Sequence, residues 1–359
     1  MSDVLVVGCG LMGTSMGLAL RGSDLGDVTL LDRSAESQQV AVARGAGRAW
    51  DGLEHARIVV VAVPPEDTAS ELLQLQSLDL ARTYTHVCSV QSQVQGEVEK
   101  LSLDPSRIVG GHPMAGREVS GPQGALADLF VGRAWAVCPT SATAPEAVED
   151  VMVLASLCGA VPVTTTPDEH DAAVALLSHV PQVLSSSLAG LLADAPEGLP
   201  LALSGPGLAD TTRLAASSPL LWTEILAANA GQVAPHVRRL AAALAGLADA
   251  LEGPQGTAAR AEIAQFLMRG NEGRERVPVT RGELAGAFAG VRVELADEPG
   301  QLARLFQAAG TAGVNIEDVR VEHVPGRPRG IIELLVAPSE QGRLEAALTA
   351  EGWHVFSST

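Results

Sequence analysis

Two short runs hold the side chains best suited to chemistry. In GGHPMAGREVSGP, Gly110 to Pro122, His112 stands between a glycine pair and a proline at the end of an apolar run. Imidazole gains and loses a proton near neutral pH, so a histidine held at a strand end can serve as a general base. The second run, HVCSVQSQV (His86 to Val94), places Ser89 after another apolar stretch. A serine there is either a helix N-cap or one half of a pair with His112. Taken alone, each residue reads equally well as structural.

A third run fixes where such a pair would work. VLVVGCGLMGTSMGLAL places Gly8, Gly10 and Gly13 directly after a strand and at the start of a helix, with Leu11 and Met12 in its first turn. In this pattern the first glycine allows a tight turn, the second admits a pyrophosphate, and the third lets helix and strand pack closely. The next strand, VTLLD, ends in Asp32, nineteen residues after Gly13. A carboxylate at that position accepts from the adenosine ribose hydroxyls and repels a 2′-phosphate. The expected cofactor is therefore NAD, although Arg33 leaves room for NADP. Val63 and Pro64, in AVPP at the end of a later strand, lie where the dinucleotide should pass.

The elements that must position these residues follow from periodicity. DVLVVG, DVTLLD, ARIVVVAVP, YTHVCSV, RIVGGHP, RAWAVCP and AVPVTT alternate with helical stretches over residues 1–167. That spacing predicts an α/β domain, a Rossmann-type doubly wound and mostly parallel sheet. From 168 to 275 the strand signal gives way to Ala/Leu-rich helical periodicity, an all-α domain suited to holding two chains together. Residues 276–289 read as a linker. The remainder, 290–359, has the order βαββαβ of a ferredoxin-like α+β sandwich.

Composition narrows the function. The 359 residues include 24 basic and 42 acidic side chains, a formal charge of -18. Such a surface repels phosphate backbones and anionic membranes, which argues against nucleic-acid and membrane partners but not against a small anion in a local basic pocket. Cys9, Cys88, Cys138 and Cys158 form no CxxC pair and no zinc-like cluster, so no metal site is expected. With no basic leader and no apolar run near the ~20 residues of a membrane span, a cytoplasmic protein is expected.

The GGHPMAGRE run, together with DEHDAAVALLSHVPQ and DTTRLAASSPLLW, resembles the prephenate/arogenate dehydrogenases of tyrosine biosynthesis. The C-terminal DEPGQLARLFQAAGTAGVNIEDV resembles an ACT domain, a regulatory amino-acid-binding module. The resemblance implies NAD-dependent oxidative decarboxylation. His112 would accept the C4 hydroxyl proton as hydride leaves C4, and Ser89 would bond that hydroxyl. Arg213 would bind a substrate carboxylate; His179, Gln182 and Trp222 would be further substrate residues, and Glu118 and Asp210 would gate the site. Gly300 and Asn315 would contact an aromatic amino-acid effector in the ACT unit. A homodimer is implied as well.

The sequence also departs from the family. The usual D-x-x-S-V-K is His86-Val87-Cys88-Ser89-Val90-Gln91 here, Gln182 replaces a common histidine, and Ala209 replaces a common arginine. Fewer cations favour a less anionic substrate such as arogenate. Alternatives are a paralogue acting on 4-amino-4-deoxyprephenate and a catalytically weak sensor of NAD and amino acids. A 6-phosphogluconate-type reaction needs a lysine on a middle helix, and the single lysine, Lys100, lies elsewhere.

Overall fold

A computed structural model describes residues 2–117, 119–196, 198, 200–254, 256–277, 288–323 and 329–356. Glu118 and residues 278–287 of the expected linker lie outside the described residues. The chain forms two compact units, Met1–Leu244 and Ala245–Thr359.

The first unit is built on a sheet buried on both faces. Its strands and helices alternate: β1 Ser2–Val7, α1 Leu11–Leu20, β2 Val28–Leu31, α2 Ala35–Ala43, β3 Arg48–Ala49, β4 Ala56–Val61 and α3 Pro65–Ser77. There follow β5 Ala81–His86, α4 Ser92–Lys100, β6 Ile108–Pro113, β7 Ala134–Cys138, α5 Pro145–Leu157 and β8 Val161–Thr164. Strand order is β3-β2-β1-β4-β5-β6-β7-β8, parallel except for the β6–β7 pair. Because side chains alternate along a strand, Val4 and Val6 of β1 enter one core with α1 and α5 residues. Leu5 and Val7 enter the other, with Leu72 of α3 and Val94 of α4. Continuous Val/Ile/Leu strands are what such a two-sided core requires.

One boundary differs from expectation. The apolar run was expected to stay a strand through Ser89, but β5 ends at His86. The main chain leaves the ladder because the Cys88 N–H turns back toward His86 Nδ1 at 3.4 Å, while the Gln91 and Ser92 N–H groups are drawn to Asp171. Ser89 therefore sits in a loop. It is not a helix cap, since Gln91 holds the N-cap position of α4.

The helical part of this unit comprises α6 Pro167–Val174, α7 Val180–Ala193, α8 Pro206–Thr212, α9 Pro219–Ala228 and the start of α10 Ala230–Glu252. A capping box, Thr166 with Glu169, fixes the start of α6. A π-helical turn, Ala175–His179, joins α6 to α7. Pro181 explains the wider turn: it has no N–H for the helix ladder, and its ring crowds the preceding turn. The continuous run Pro167–Ala193, 27 residues, is long and apolar enough to cross a membrane, contrary to the sequence reading. Five polar residues buried on this run, His170, Asp171, His179, Gln182 and Ser185, instead make it the helix of the site.

The second unit contains the end of α10, α11 Thr257–Glu275 and a small antiparallel sheet. Its elements are β9 Ala289–Ala296, α12 Gln301–Thr311, β10 Asp318–His323, β11 Arg329–Val336, α13 Gln341–Ala350 and β12 His354–Phe356. Strand order is β10-β11-β9-β12, and both helices pack Leu305, Ala309, Leu344 and Leu348 against one face. The expected βαββαβ order is present.

Candidate active site

The glycine turn after β1 has little space to spare. Gly8 has φ +100°, and a Cβ there would lie 2.4 Å from the Ala62 carbonyl oxygen. A Cβ on Gly13 would lie 2.0 Å from the Gly8 oxygen and 2.9 Å from Val6 Cγ1. Gly10 is the contrary case, because a Cβ there would meet nothing within 4 Å. The open side of the turn at Gly10 is where a pyrophosphate would lie against the backbone N–H groups that begin α1. Leu11 and Met12 stand in that first turn, which carries no acidic residue. Asp32, just beyond β2, accepts from Cys9 N–H at 2.5 Å and from Ser34 N–H at 2.7 Å. Its carboxylate is thus tied to the glycine turn, beside the place for the ribose. Arg33 pairs with Asp67 at 2.9 Å, and that carboxylate would oppose a 2′-phosphate. Val63 and Pro64 follow β4, and Pro64 holds the N-cap position of α3. β1 is flanked by β2 and β4, so the connections diverge here and open the crevice of a doubly wound sheet.

The second cluster gathers around one carboxylate. His112 Nδ1 lies 2.9 Å from His170 Nε2, and His170 Nδ1 lies 2.8 Å from Asp171 Oδ1. Asp171 also accepts from the Gln91 and Ser92 main-chain N–H groups at 2.9 and 2.8 Å. Burial alone would raise the Asp171 carboxyl, but the bonds from His170, Gln91 and Ser92 outweigh it and hold it below the usual range. An ionised carboxylate only accepts, so His170 Nδ1 carries hydrogen, and in that tautomer of the neutral ring Nε2 is the acceptor. That requires hydrogen on His112 Nδ1 and leaves His112 Nε2 with a lone pair. Burial, followed by the neighbouring His170 and His179, pushes the His112 imidazole down to about 3, so the ring is neutral at physiological pH. His86, buried behind it, is pushed down to about 4 by burial and then by His170.

A third set lies on the helices. Asn229, at the end of α9, donates from Nδ2 to the Asp171 carbonyl at 2.8 Å and to His179 Nδ1 at 3.2 Å. His179 therefore accepts at Nδ1 and carries its hydrogen on Nε2. Trp222 meets the His179 ring edge-on, centroids 5.9 Å apart. Gln182 donates to the Leu214 carbonyl at 3.0 Å and to Ser186 Oγ at 3.3 Å, and Ser185 Oγ accepts from Ala215 N–H. These bonds anchor the turn Arg213–Ala216, on which Arg213 is exposed.

Of the residues expected from sequence, the structure joins His179 directly to Trp222, and Gln182 to the Arg213 turn. Ser89 is half-buried in its loop, and Asp210 is exposed on α8. In the second unit, Gly300 has φ +87° at the N-cap of α12, and Asn315 donates from Nδ2 to Glu317 at 2.6 Å. Three residues were not expected: His170, Asp171 and Asn229. The sequence offered a signal for the first two, an adjacent His-Asp pair in the first turn of a helix whose capping box sets its register. Asn229, at a helix end 58 positions from Asp171, offered none.

A glycine-rich crevice, a neutral imidazole held by an imidazole–carboxylate pair and an appended helical segment define a dinucleotide-binding enzyme of the dehydrogenase class. The chain belongs to the prephenate dehydrogenase family. The family's nucleotide-binding domain matches residues 16–164, and its dimerization domain matches 166–265. A probable prephenate dehydrogenase, NovF, of Streptomyces niveus is 36% identical over 360 residues, 98% of this chain and 99% of that protein. The structure of prephenate dehydrogenase from A. aeolicus with hydroxyphenyl propionate and NAD+ is 27% identical, with a TM-score of 0.67 over 76% of this chain and 97% of that one. Synechocystis arogenate dehydrogenase is 26% identical, with a TM-score of 0.61 over 75% and 99%.

Proposed function

We propose that this protein is an NAD-dependent prephenate or arogenate dehydrogenase with His112 as the base. The single observation that carries the reading is the hydrogen-bonded series His112–His170–Asp171, which leaves Nε2 of a neutral His112 as acceptor. That nitrogen takes the proton of the substrate C4 hydroxyl. The charge that develops on His112 is shared through Nδ1–H with His170, whose own Nδ1–H rests on Asp171. NAD, when bound, takes the hydride from C4. The ring C–CO₂ bond then breaks, its electron pair enters the ring to make it aromatic, and His112 returns the proton to the phenolate oxygen. Arg213 would bind a carboxylate of the substrate in a bidentate manner. Ser89 would bond the C4 hydroxyl, with His179, Gln182 and Trp222 as further substrate residues, and Asp210 and Glu118 would gate the site. The Arg33–Asp67 pair supports NAD over NADP.

Within this reading arogenate is the better substrate. Burial pushes His112, His86 and His179 down, and Ala209 supplies no charge, so a substrate whose ammonium offsets one carboxylate meets less unfavourable desolvation. Comparison of kcat/KM for the two substrates, followed by reduced nicotinamide absorbance, tests it. A ratio of at least about tenfold for arogenate is expected, and this corresponds to ~1.4 kcal/mol. A preference for prephenate would overturn it.

The helical segment 168–275 is proposed to form a homodimer. Leu177, Leu191 and Leu220 are 74%, 69% and 77% exposed, more apolar surface than an isolated helical face usually presents. Residues 290–359 are proposed to be an ACT domain that binds an aromatic amino acid near Gly300 and Asn315. Calorimetric titration with tyrosine, phenylalanine and tryptophan should show binding of at least one; no heat from any of the three would remove the effector. The protein is proposed to act in the cytoplasm.

A further inference from the structure

Gln91 stands where the family usually carries a lysine, and its surroundings give it a different task from holding a charge. The side chain is 1% exposed. Its Nε2 donates to the Cys88 carbonyl at 2.6 Å and to the Gly111 carbonyl at 3.2 Å. Cys88 immediately precedes Ser89, and Gly111 immediately precedes His112, so one amide joins the peptides before both reacting-centre residues. The Gln91 main-chain N–H is bonded to Asp171 Oδ1, at the far end of the histidine series. Gln91 Oε1 is buried without a hydrogen-bond partner among the described residues and lies against Gly110. A Cβ on Gly110 would come within 2.2 Å of that oxygen, so the glycine pair before His112 makes the room in which the amide sits. An amide with both donors engaged and its acceptor idle is placed for what its N–H groups hold together.

We propose that Gln91 is a positioning residue, a neutral clamp that fixes the Ser89 loop against the strand of His112, and not a vacated substrate-cation position. This rests on the dehydrogenase reading. The amide acts at two carbonyls, so its removal lets the loop and β6 separate without altering any group that touches substrate. Misplacement of a catalytic pair on the order of 1 Å costs up to about 100-fold in rate.

The test compares Gln91→Met, of similar length with no donor, and Gln91→Lys, whose ammonium can donate to the same two carbonyls. In the full-length protein, Q91M should lower kcat about 10–100-fold while KM for the better substrate and Kd for NAD+ stay within about threefold. Q91K should recover at least about tenfold of that kcat with no fall in KM. A Q91K variant with kcat unchanged and a KM reduced tenfold would make position 91 a substrate-charge site and overturn the proposal. So would a Q91M variant with wild-type kcat. A readout independent of turnover is the ¹H–¹⁵N spectrum of the histidine rings. Q91M should move the His112 Nδ1 resonance while the protein stays folded, and an unmoved resonance would refute the clamp even if the wild-type enzyme turned over neither substrate.

Discussion

Asp171 decides the chemistry of a residue it does not touch. Because it only accepts, it dictates the tautomer of His170 and, through His170, that of His112. His112→Asn should lower kcat about 10²–10⁴-fold with NAD+ affinity unchanged, as measured by turnover and by titration of bound dinucleotide. Asp171→Asn should lower kcat as well and also cost about 1.5–3 kcal/mol of stability, because an amide presents hydrogen where a charged acceptor took up two main-chain N–H groups. Chemical denaturation reads the second effect; a fully active and fully stable D171N would contradict the series. His112 was legible in the sequence because glycine and proline crowd around it locally. His170 and Asp171 lie in a run whose periodicity marks a helix and nothing more. Only the packing of α6 beside β6 brings His170 to a histidine 58 positions away.

The glycines separate folding from binding within a single turn. Gly13→Ala drives a Cβ into the Gly8 carbonyl and should yield little folded protein. Gly10→Ala places its Cβ in open space, so thermal unfolding should be unchanged while NAD+ affinity falls about 10–100-fold through obstruction of the pyrophosphate. A G10A variant that binds NAD+ normally would show that the dinucleotide does not pass there. This element was readable from sequence because its constraints are local and its glycines fall at fixed spacing. The end of β5 was not, since what stops the strand at His86 is a hydrogen-bonded carboxylate on a distant helix. The π turn that ends at His179 was equally hidden, because Pro181 on its own is as compatible with a kink or a helix start as with a wider turn.

For the whole molecule, the formal charge says little about the chemistry of the site. The formal charge is -18, yet the site holds His112 and His86, imidazoles pushed down by burial, near the buried Asp171 carboxylate. Those imidazoles tie stability to acid. His112 and His86 are held at about 3 and about 4, below the ordinary 6.5, so between these values the unfolded chain binds the extra protons. Stability is therefore complete above pH 6.5 and falls as pH drops through this window, by up to about 1.4 kcal/mol per pH unit for each ring. The Asp171 carboxyl, held below 3.8, contributes its own loss only at lower pH. Unfolding midpoints between pH 7 and 5 should fall steadily, and His86→Leu should flatten the slope; a constant midpoint would contradict the burial of neutral rings. The measurement closest to the central claim is simultaneous assay of reduced nicotinamide and released CO₂ for the wild-type protein and H112N with NAD+ and arogenate or prephenate. Equal amounts of both products from the wild type, and almost none from H112N, is the predicted result. Nicotinamide reduction without CO₂, or full activity in H112N, would contradict it.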